Sequence, residues 1–190
     1  DKTYNGTTSA ILANSGTIDK IGSDDVSFST TATFNNANVE ATKTVDLDYT
    51  LTGTKAGNYT LTDVTGVATN AKINAKSLTV TADTKTKTYG DVTPTLTYAL
   101  SESLIGSDTL SGSLSTTTRY SDVGTYNITS TLANTNYNIT FVGNNKLTIT
   151  KKDINILGLS GANKTYDGTT TATLSGTASL DTNSIVNGDT

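Results

Sequence analysis

Apolar and polar residues alternate along much of the chain. Val45, Leu47, Tyr49 and Leu51 are interleaved with Asp46, Asp48 and Thr50, which is the period of a strand with one buried face. The same alternation runs through residues 78–82, 126–129, 137–141 and 147–149, and more weakly through 9–12, 26–34 and 110–114. Turn signals separate these segments: Ala56-Gly57-Asn58, Val123-Gly124-Thr125 and Gly143-Asn144-Asn145. The sole proline, Pro94, cannot donate to a ladder and belongs in a loop or an edge strand. Short strands at this spacing predict a β-sandwich, with a small barrel of similar strand number as the competitor. The expected core of the middle stretch is Leu78, Val80, Leu96, Tyr98, Leu110, Tyr126, Ile128, Tyr137, Ile139, Phe141, Leu147 and Ile149.

The pattern repeats. Lys2-Thr3-Tyr4-Asn5-Gly6-Thr7-Thr8 returns as Lys164-Thr165-Tyr166-Asp167-Gly168-Thr169-Thr170, with Lys87-Thr88-Tyr89-Gly90-Asp91 between them. Gly22-Ser23-Asp24 returns as Gly106-Ser107-Asp108 and, more loosely, as Gly188-Asp189. Asn58-Tyr59-Thr60-Leu61 returns as Asn136-Tyr137-Asn138-Ile139. A period of about 80 residues is too long for a solenoid coil and fits one small β domain per repeat. The boundaries fall near Ala75 and Lys151. Residues 1–75 form a repeat lacking its first strand, 76–151 a complete one, and 152–190 the N-terminal half of a third. The links between them lack a Pro/Gly/Ser tract, so the expectation is a semi-stiff rod of small immunoglobulin-like sandwiches.

These motifs resemble two repeat families of bacterial surface proteins. Lys164 to Thr170 is similar to the signature that names the YDG repeat, and residues 1–75 resemble the rest of that repeat. Residues 76–151 resemble an MBG repeat, through Lys-Thr-Tyr-Gly-Asp at 87–91, Pro94, Val123-Gly124-Thr125-Tyr126, Asn136-Tyr137 and Leu147-Thr148-Ile149. The first repeat departs at Asn5, where the family name has Asp; Asn makes the same local turn contacts. The resemblance implies large secreted adhesins, often of the filamentous-haemagglutinin or two-partner-secretion type, and carries over no catalytic residue.

Composition narrows the reading further. Hydrophobic residues make up 34% and charged residues 16%, and 43 threonines fill much of the deficit. Thr is β-branched and favours strands, whereas the helix-building residues Glu, Arg and Met are scarce or missing. With no Cys and no His, disulfides, Ser-His-Asp catalysis and thiolate or imidazole metal sites are excluded. A net charge of −4 and a single arginine, Arg119, leave no basic stripe for nucleic acid. No apolar run is long enough to insert in a membrane. The chain opens at Asp1 without Met or a signal peptide, which reads as a piece of a longer protein.

Several side chains invite a sharper reading. Asp24, Asp25, Asp46 and Asp48 are calcium candidates, although Asp46 and Asp48 alternate with core positions and suit a solvated face. The tyrosine of each Lys-Thr-Tyr motif suits a glycan platform, or packing beside the turn with a local hydrogen bond. The second fits better, because the residue recurs in every repeat. For the same reason Lys2, Thr3, Tyr4, Gly6, Lys87, Thr88, Tyr89, Gly90, Asp91, Lys164, Thr165, Tyr166, Asp167 and Gly168 are read as fold determinants. An intramolecular Lys–Asn bond with an acidic neighbour is chemically open, but no spacing points to it. Acidic pairs suited to a glycosidase would need a pocket that interrupts the repeats, and none is visible.

The expected function is that of structural spacer or stalk repeats in an extracellular adhesin on a bacterial surface, serving cell adhesion or biofilm formation, without enzymatic activity or cofactor. The alternatives are repeats that themselves bind a glycan or host protein, and chains that exchange strands through an exposed sheet edge in the first repeat.

Overall fold

The computed structural model describes residues 1–12, 16–62, 65–143, 145–186 and 188–189, without the side chains of 65–69. Every regular element among them is a β-strand except for one 3-10 turn at Ala56–Asn58. That turn falls on the predicted Ala-Gly-Asn signal. The all-β class read from the alternation and the threonine content therefore holds, and the sheets form layers consistent with sandwich packing.

The first compact unit comprises Asp1–Val80, Leu100–Ser113 and Thr131–Phe141. Its main sheet contains β1 (Lys2–Thr3), β2 (Ser27–Phe34), β3 (Glu40–Thr52) and β4 (Thr65–Asn74) in the order β1-β4-β3-β2. Strand β1 runs parallel to β4 and the other neighbours are antiparallel. Phe34 stands opposite Val45 and Ala32 opposite Leu47, on the inner face. Thr33 opposite Asp46 and Thr31 opposite Asp48 alternate to the outside. Between β3 and β4 the register shifts on both sides of Lys43. Nearby, Asn70 adopts φ +71°, a left-handed conformation that Asn tolerates at an irregular strand position.

Only Ala75 separates β4 from β5 (Lys76–Ala82). Leu78 and Val80 of β5 join Tyr4, Ala32, Phe34, Val45, Ile73 and Tyr137 in one buried cluster, edged by Leu100, Leu104, Ile105, Leu110, Leu132, Ile139 and Phe141. Fully burying a side chain such as Ile73 or Leu78 contributes about 1.5–3 kcal/mol. The sheet of the first sequence repeat is thus covered by residues of the second, and the compact unit cuts across the repeat period.

The second unit comprises Thr81–Ala99, Leu114–Ser130 and Val142–Thr190. The strands that follow β5 are β6 (Lys85–Thr88), β7 (Tyr98–Leu100), β8 (Leu114–Ser115), β9 (Gly124–Asn127), β10 (Thr129–Ser130), β11 (Tyr137–Val142), β12 (Lys146–Thr150), β13 (Ile156–Gly161) and β14 (Leu174–Leu180). The sheet β6-β12-β9 repeats the plan of β1-β4-β3: the short strand before the motif tyrosine runs parallel to the closing strand, which is antiparallel to its other neighbour. Ala82, Ile128, Leu147, Ile149 and Val186 are buried in this unit. The remaining sheets are β11-β5-β7, β10-β8 and β13-β14.

The strand expected over 126–129 breaks at Ile128. Strand β9 pairs with β12 while β10 pairs with β8, and Ile128 is buried at the changeover. Gly124, expected in a turn, already begins β9. Segments 9–12 and 110–114 yield isolated bridges, Ser9 to Thr33 and Ser111 to Ala133, with β8 starting at Leu114. Tyr98 is exposed because it lies in a three-residue edge strand, and Leu96 and Tyr126 are only half-buried. Residues 59–62, the counterpart of β11, form no strand. Strand β11, by contrast, is paired with β5.

Candidate functional site

The recurring motifs converge on one construction. The Tyr4 hydroxyl donates to Asp108 Oδ2 at 2.8 Å across 104 residues of chain, and the Tyr137 hydroxyl donates to the same oxygen at 2.9 Å. The rings of Tyr4 and Tyr137 meet edge to face with centroids 5.6 Å apart. The Tyr137 oxygen also accepts the Ile105 amide at 2.8 Å. Tyr4 is held from its own repeat by its amide, which donates to the Asn74 carbonyl. The Lys-Thr-Tyr motif of one repeat is therefore bonded to the Gly-Ser-Asp and Asn-Tyr motifs of the next. The hydrogen bond expected to be local is long-range, because Tyr4 points across the core rather than along its own turn.

The same pairing recurs in the second unit. Tyr89 Oη donates to Asp189 Oδ1 at 2.8 Å, 100 residues away, while its amide donates to the Thr150 carbonyl. Shape complements these bonds. A Cβ on Gly6 would lie 2.5 Å from Ile105 Cγ2, and one on Gly90 2.5 Å from Val186 Cγ2. Each glycine also has positive φ, +74° and +83°, a conformation in which glycine is unstrained. Ile105 and Val186 each stand three residues before the aspartate that accepts the tyrosine. That apolar residue was missed, although its constant spacing is a readable signal.

Burial, then the bond to Asp108 and its negative charge, pushes the Tyr4 phenol up to about 12, with the Asn136 side chain acting in the opposite direction. Tyr137 is raised for the same leading reason, burial. Tyr89 is raised chiefly by its bond to Asp189. All three phenols thus remain neutral donors to a carboxylate through the physiological range, the stronger kind of protein hydrogen bond.

The lysine of each motif staples the loop behind the tyrosine. Lys2 Nζ donates to the Thr7 hydroxyl at 3.0 Å and to the Ser9 carbonyl at 3.1 Å. Lys164 Nζ donates to Asp167 Oδ1 and the Thr169 carbonyl, each at 2.9 Å. Lys87, itself buried, donates to the carbonyls of Asp91 and Arg119. Asn5 and Asp167 make the same turn: each Oδ1 accepts both the amide and the hydroxyl of the threonine two residues on. Lys164, followed by the Thr169 groups, holds the Asp167 carboxyl below the usual range. Thr3 and Thr88 lie in β1 and β6, while Thr165 is outside a strand.

A second connection runs through Asn136. Its side-chain oxygen accepts the Val39 amide at 3.0 Å, and its carbonyl accepts the Lys76 amide at 3.0 Å. Asn136 is buried, and sequence reasoning marked it only as part of a recurring pair.

The calcium candidates are not gathered. Asp24 accepts the Tyr59 hydroxyl at 2.7 Å. Asp25 Oδ2 accepts the Thr54 amide and hydroxyl at 2.9 Å each, and the amide bond chiefly lowers its pKa. Asp46 and Asp48 lie exposed on the outer face of β3. Among the described residues no group of three or more metal-ligating side chains occurs. The Lys–Asn geometry considered from sequence has a counterpart in buried Lys43, whose ammonium donates to Asn36 Oδ1 at 2.9 Å and to the exposed Glu40 at 3.3 Å.

Comparison with known families matches residues 1–66 to the YDG domain and residues 78–148 to the MBG domain of the YGX type. No curated protein and no solved structure matches the chain.

Proposed function

From a chain in which a YDG domain is followed by an MBG domain, we propose structural spacer repeats of a secreted bacterial surface adhesin, holding a distal adhesive region away from the cell. The observation that carries this reading is the bond from Tyr4 to Asp108. It joins one repeat to the next through the residues that recur, so every added repeat brings its own joint. Further support comes from Tyr4 and Tyr137, two recurring aromatics that are buried in this joint. The groove beside Tyr89, lined by Val123, Ile154, Leu180 and Ile185, holds about 240 Å³, smaller than the roughly 300–1,000 Å³ of ordinary ligand pockets.

The test replaces this segment, in its parent protein on the living bacterium, by an unrelated rigid module of equal length. A spacer predicts that deletion weakens adhesion and that the unrelated module restores it. Failure of the replacement, or reproducible binding of the isolated chain to a glycan array or host matrix protein, points to direct ligand recognition instead.

A further inference from the structure

Asn5 precedes Gly6 in the first Lys-Thr-Tyr motif, whereas Asp167 precedes Gly168 in the third. The two loops bond alike. Asn5 Oδ1 accepts the Thr7 amide at 3.1 Å and the Thr7 hydroxyl at 2.9 Å. Asp167 Oδ1 accepts the Thr169 amide and hydroxyl at 2.9 Å each. One loop geometry therefore holds either an amide or a carboxylate, and the third motif shows how an aspartate sits in it.

The bonds to Asn5 Oδ1 also activate the side chain that carries it. Thr7 Oγ1 accepts Lys2 Nζ at 3.0 Å while it donates to Asn5 Oδ1. A cation, a hydroxyl and an amide together draw electron density from Asn5 Cγ, the arrangement that stabilises negative charge developing on the oxygen of an attacked carbonyl. The next nitrogen along the chain is that of Gly6. Among the described residues no group accepts its hydrogen. Gly6, at φ +74°, has no Cβ to shield that nitrogen.

We propose that Asn5 is a self-modification site, converted to aspartate by deamidation within the folded loop. The Gly6 nitrogen loses its proton to water and attacks Asn5 Cγ. The new C–N bond closes a cyclic imide, and the side-chain nitrogen takes up a proton and leaves as ammonia. Water then adds to Cγ and breaks the new bond. The Gly6 amide recovers its proton, and the side chain is left as a carboxylate. The balance is amide plus water giving carboxylate plus ammonium, so water is the sole co-reactant.

Water can also open the imide at the main-chain carbonyl, which yields isoaspartate. Two features of the loop direct it to Cγ. The Lys2–Thr7 chain polarises the side-chain carbonyl. Isoaspartate would also add an atom to the backbone before Gly6, which packs so closely that a Cβ on it would lie 2.5 Å from Ile105 Cγ2. The aspartate product instead takes the place that Asp167 has in its own loop, with Lys2 as partner in the way Lys164 serves Asp167 at 2.9 Å. This chemistry is independent of the spacer role, which requires neither form of residue 5.

The experiment ages the 190-residue chain at mildly alkaline pH, one portion folded and one unfolded in guanidinium chloride. Digestion and electron-transfer tandem mass spectrometry then read amide, aspartate and isoaspartate at residue 5. The folded portion is expected to accumulate aspartate in excess of isoaspartate. The unfolded portion, without the Thr7 bonds, is expected to give mainly isoaspartate. Thr7→Val keeps the branched shape and removes the hydroxyl donor, and circular dichroism checks that it folds. It is expected to slow conversion of the folded chain by roughly two- to tenfold and to leave the rate in guanidinium chloride unchanged. Three results overturn the proposal: an Asn5 that stays an amide in the folded chain after the unfolded portion has converted, isoaspartate as the main folded product, or a folded Thr7→Val chain that converts as fast as wild type. Each of these leaves the spacer reading standing, since that reading is tested by adhesion.

Discussion

Tyr4 and Tyr137 stand edge to face with their planes inclined by 76°, and both donate to one oxygen of Asp108. One tyrosine comes from the first sequence repeat and the other from the second. Tyr4→Phe keeps the ring contact and removes one bond to a carboxylate that retains its other donor. It is expected to lower the stability of the first unit by about 1–2 kcal/mol. Asp108→Ala strands two largely buried phenols, and its expected cost is about 3 kcal/mol. Urea unfolding followed by tyrosine fluorescence measures both, and equal effects would argue against the shared acceptor.

Alkaline pH acts on the same contact. Folding raises the Tyr4 phenol from its ordinary value near 10 to about 12. A group with a raised folded value contributes its stability in full below the unfolded value and loses it as pH climbs through the folded one. Stability is therefore expected to hold up to pH 10 and to fall between 10 and 12. The Tyr4→Phe variant shows a shallower fall over that window. Melting temperature against pH for the two proteins checks this, and parallel curves would contradict it.

The glycines of the motif separate backbone strain from packing. Gly6 and Gly168 share the same positive φ, but only Gly6 is pressed against a neighbour, Ile105. Gly168→Ala incurs backbone strain alone, about 1 kcal/mol. Gly6→Ala adds displacement of Ile105 and is expected to cost about 2–3 kcal/mol. Thermal unfolding of the two variants reads the difference.

Lys87 is buried, and its ammonium bridges the carbonyls of Asp91 and Arg119. Lys87→Met keeps the aliphatic stem and leaves both carbonyls without that donor. A loss of about 2 kcal/mol is expected in the second unit, with faster amide exchange at 119–121. Unchanged exchange there would mean that the lysine does not hold this loop.

Much of this was legible in the sequence. Strict alternation located β3, β5, β11 and β12 because each has one face on a core and neighbouring strands to pair with. The recurring motifs named nearly every member of the joint: Tyr4, Tyr89, Asp24, Asp108, Asp189, Tyr59 and Tyr137. Their pairing was not legible. Periodicity shows which residues recur but not that Tyr4 bonds the aspartate of the following repeat, since no local signal spans 104 residues. For the same reason the sheet of the first repeat looked self-contained, although Leu78 and Val80 of the second complete its core. Residues 59–62 carry strand-like alternation without forming a strand, because alternation records a face and not a partner.

The central claim is that Tyr4 and Asp108 couple one repeat to the next. A double-mutant cycle with Tyr4→Phe and Asp108→Asn, read by urea unfolding, tests it most directly. The account predicts that the two losses are far from additive, with a coupling energy of about 1 kcal/mol or more. Additive losses, leaving no coupling beyond error, would contradict it.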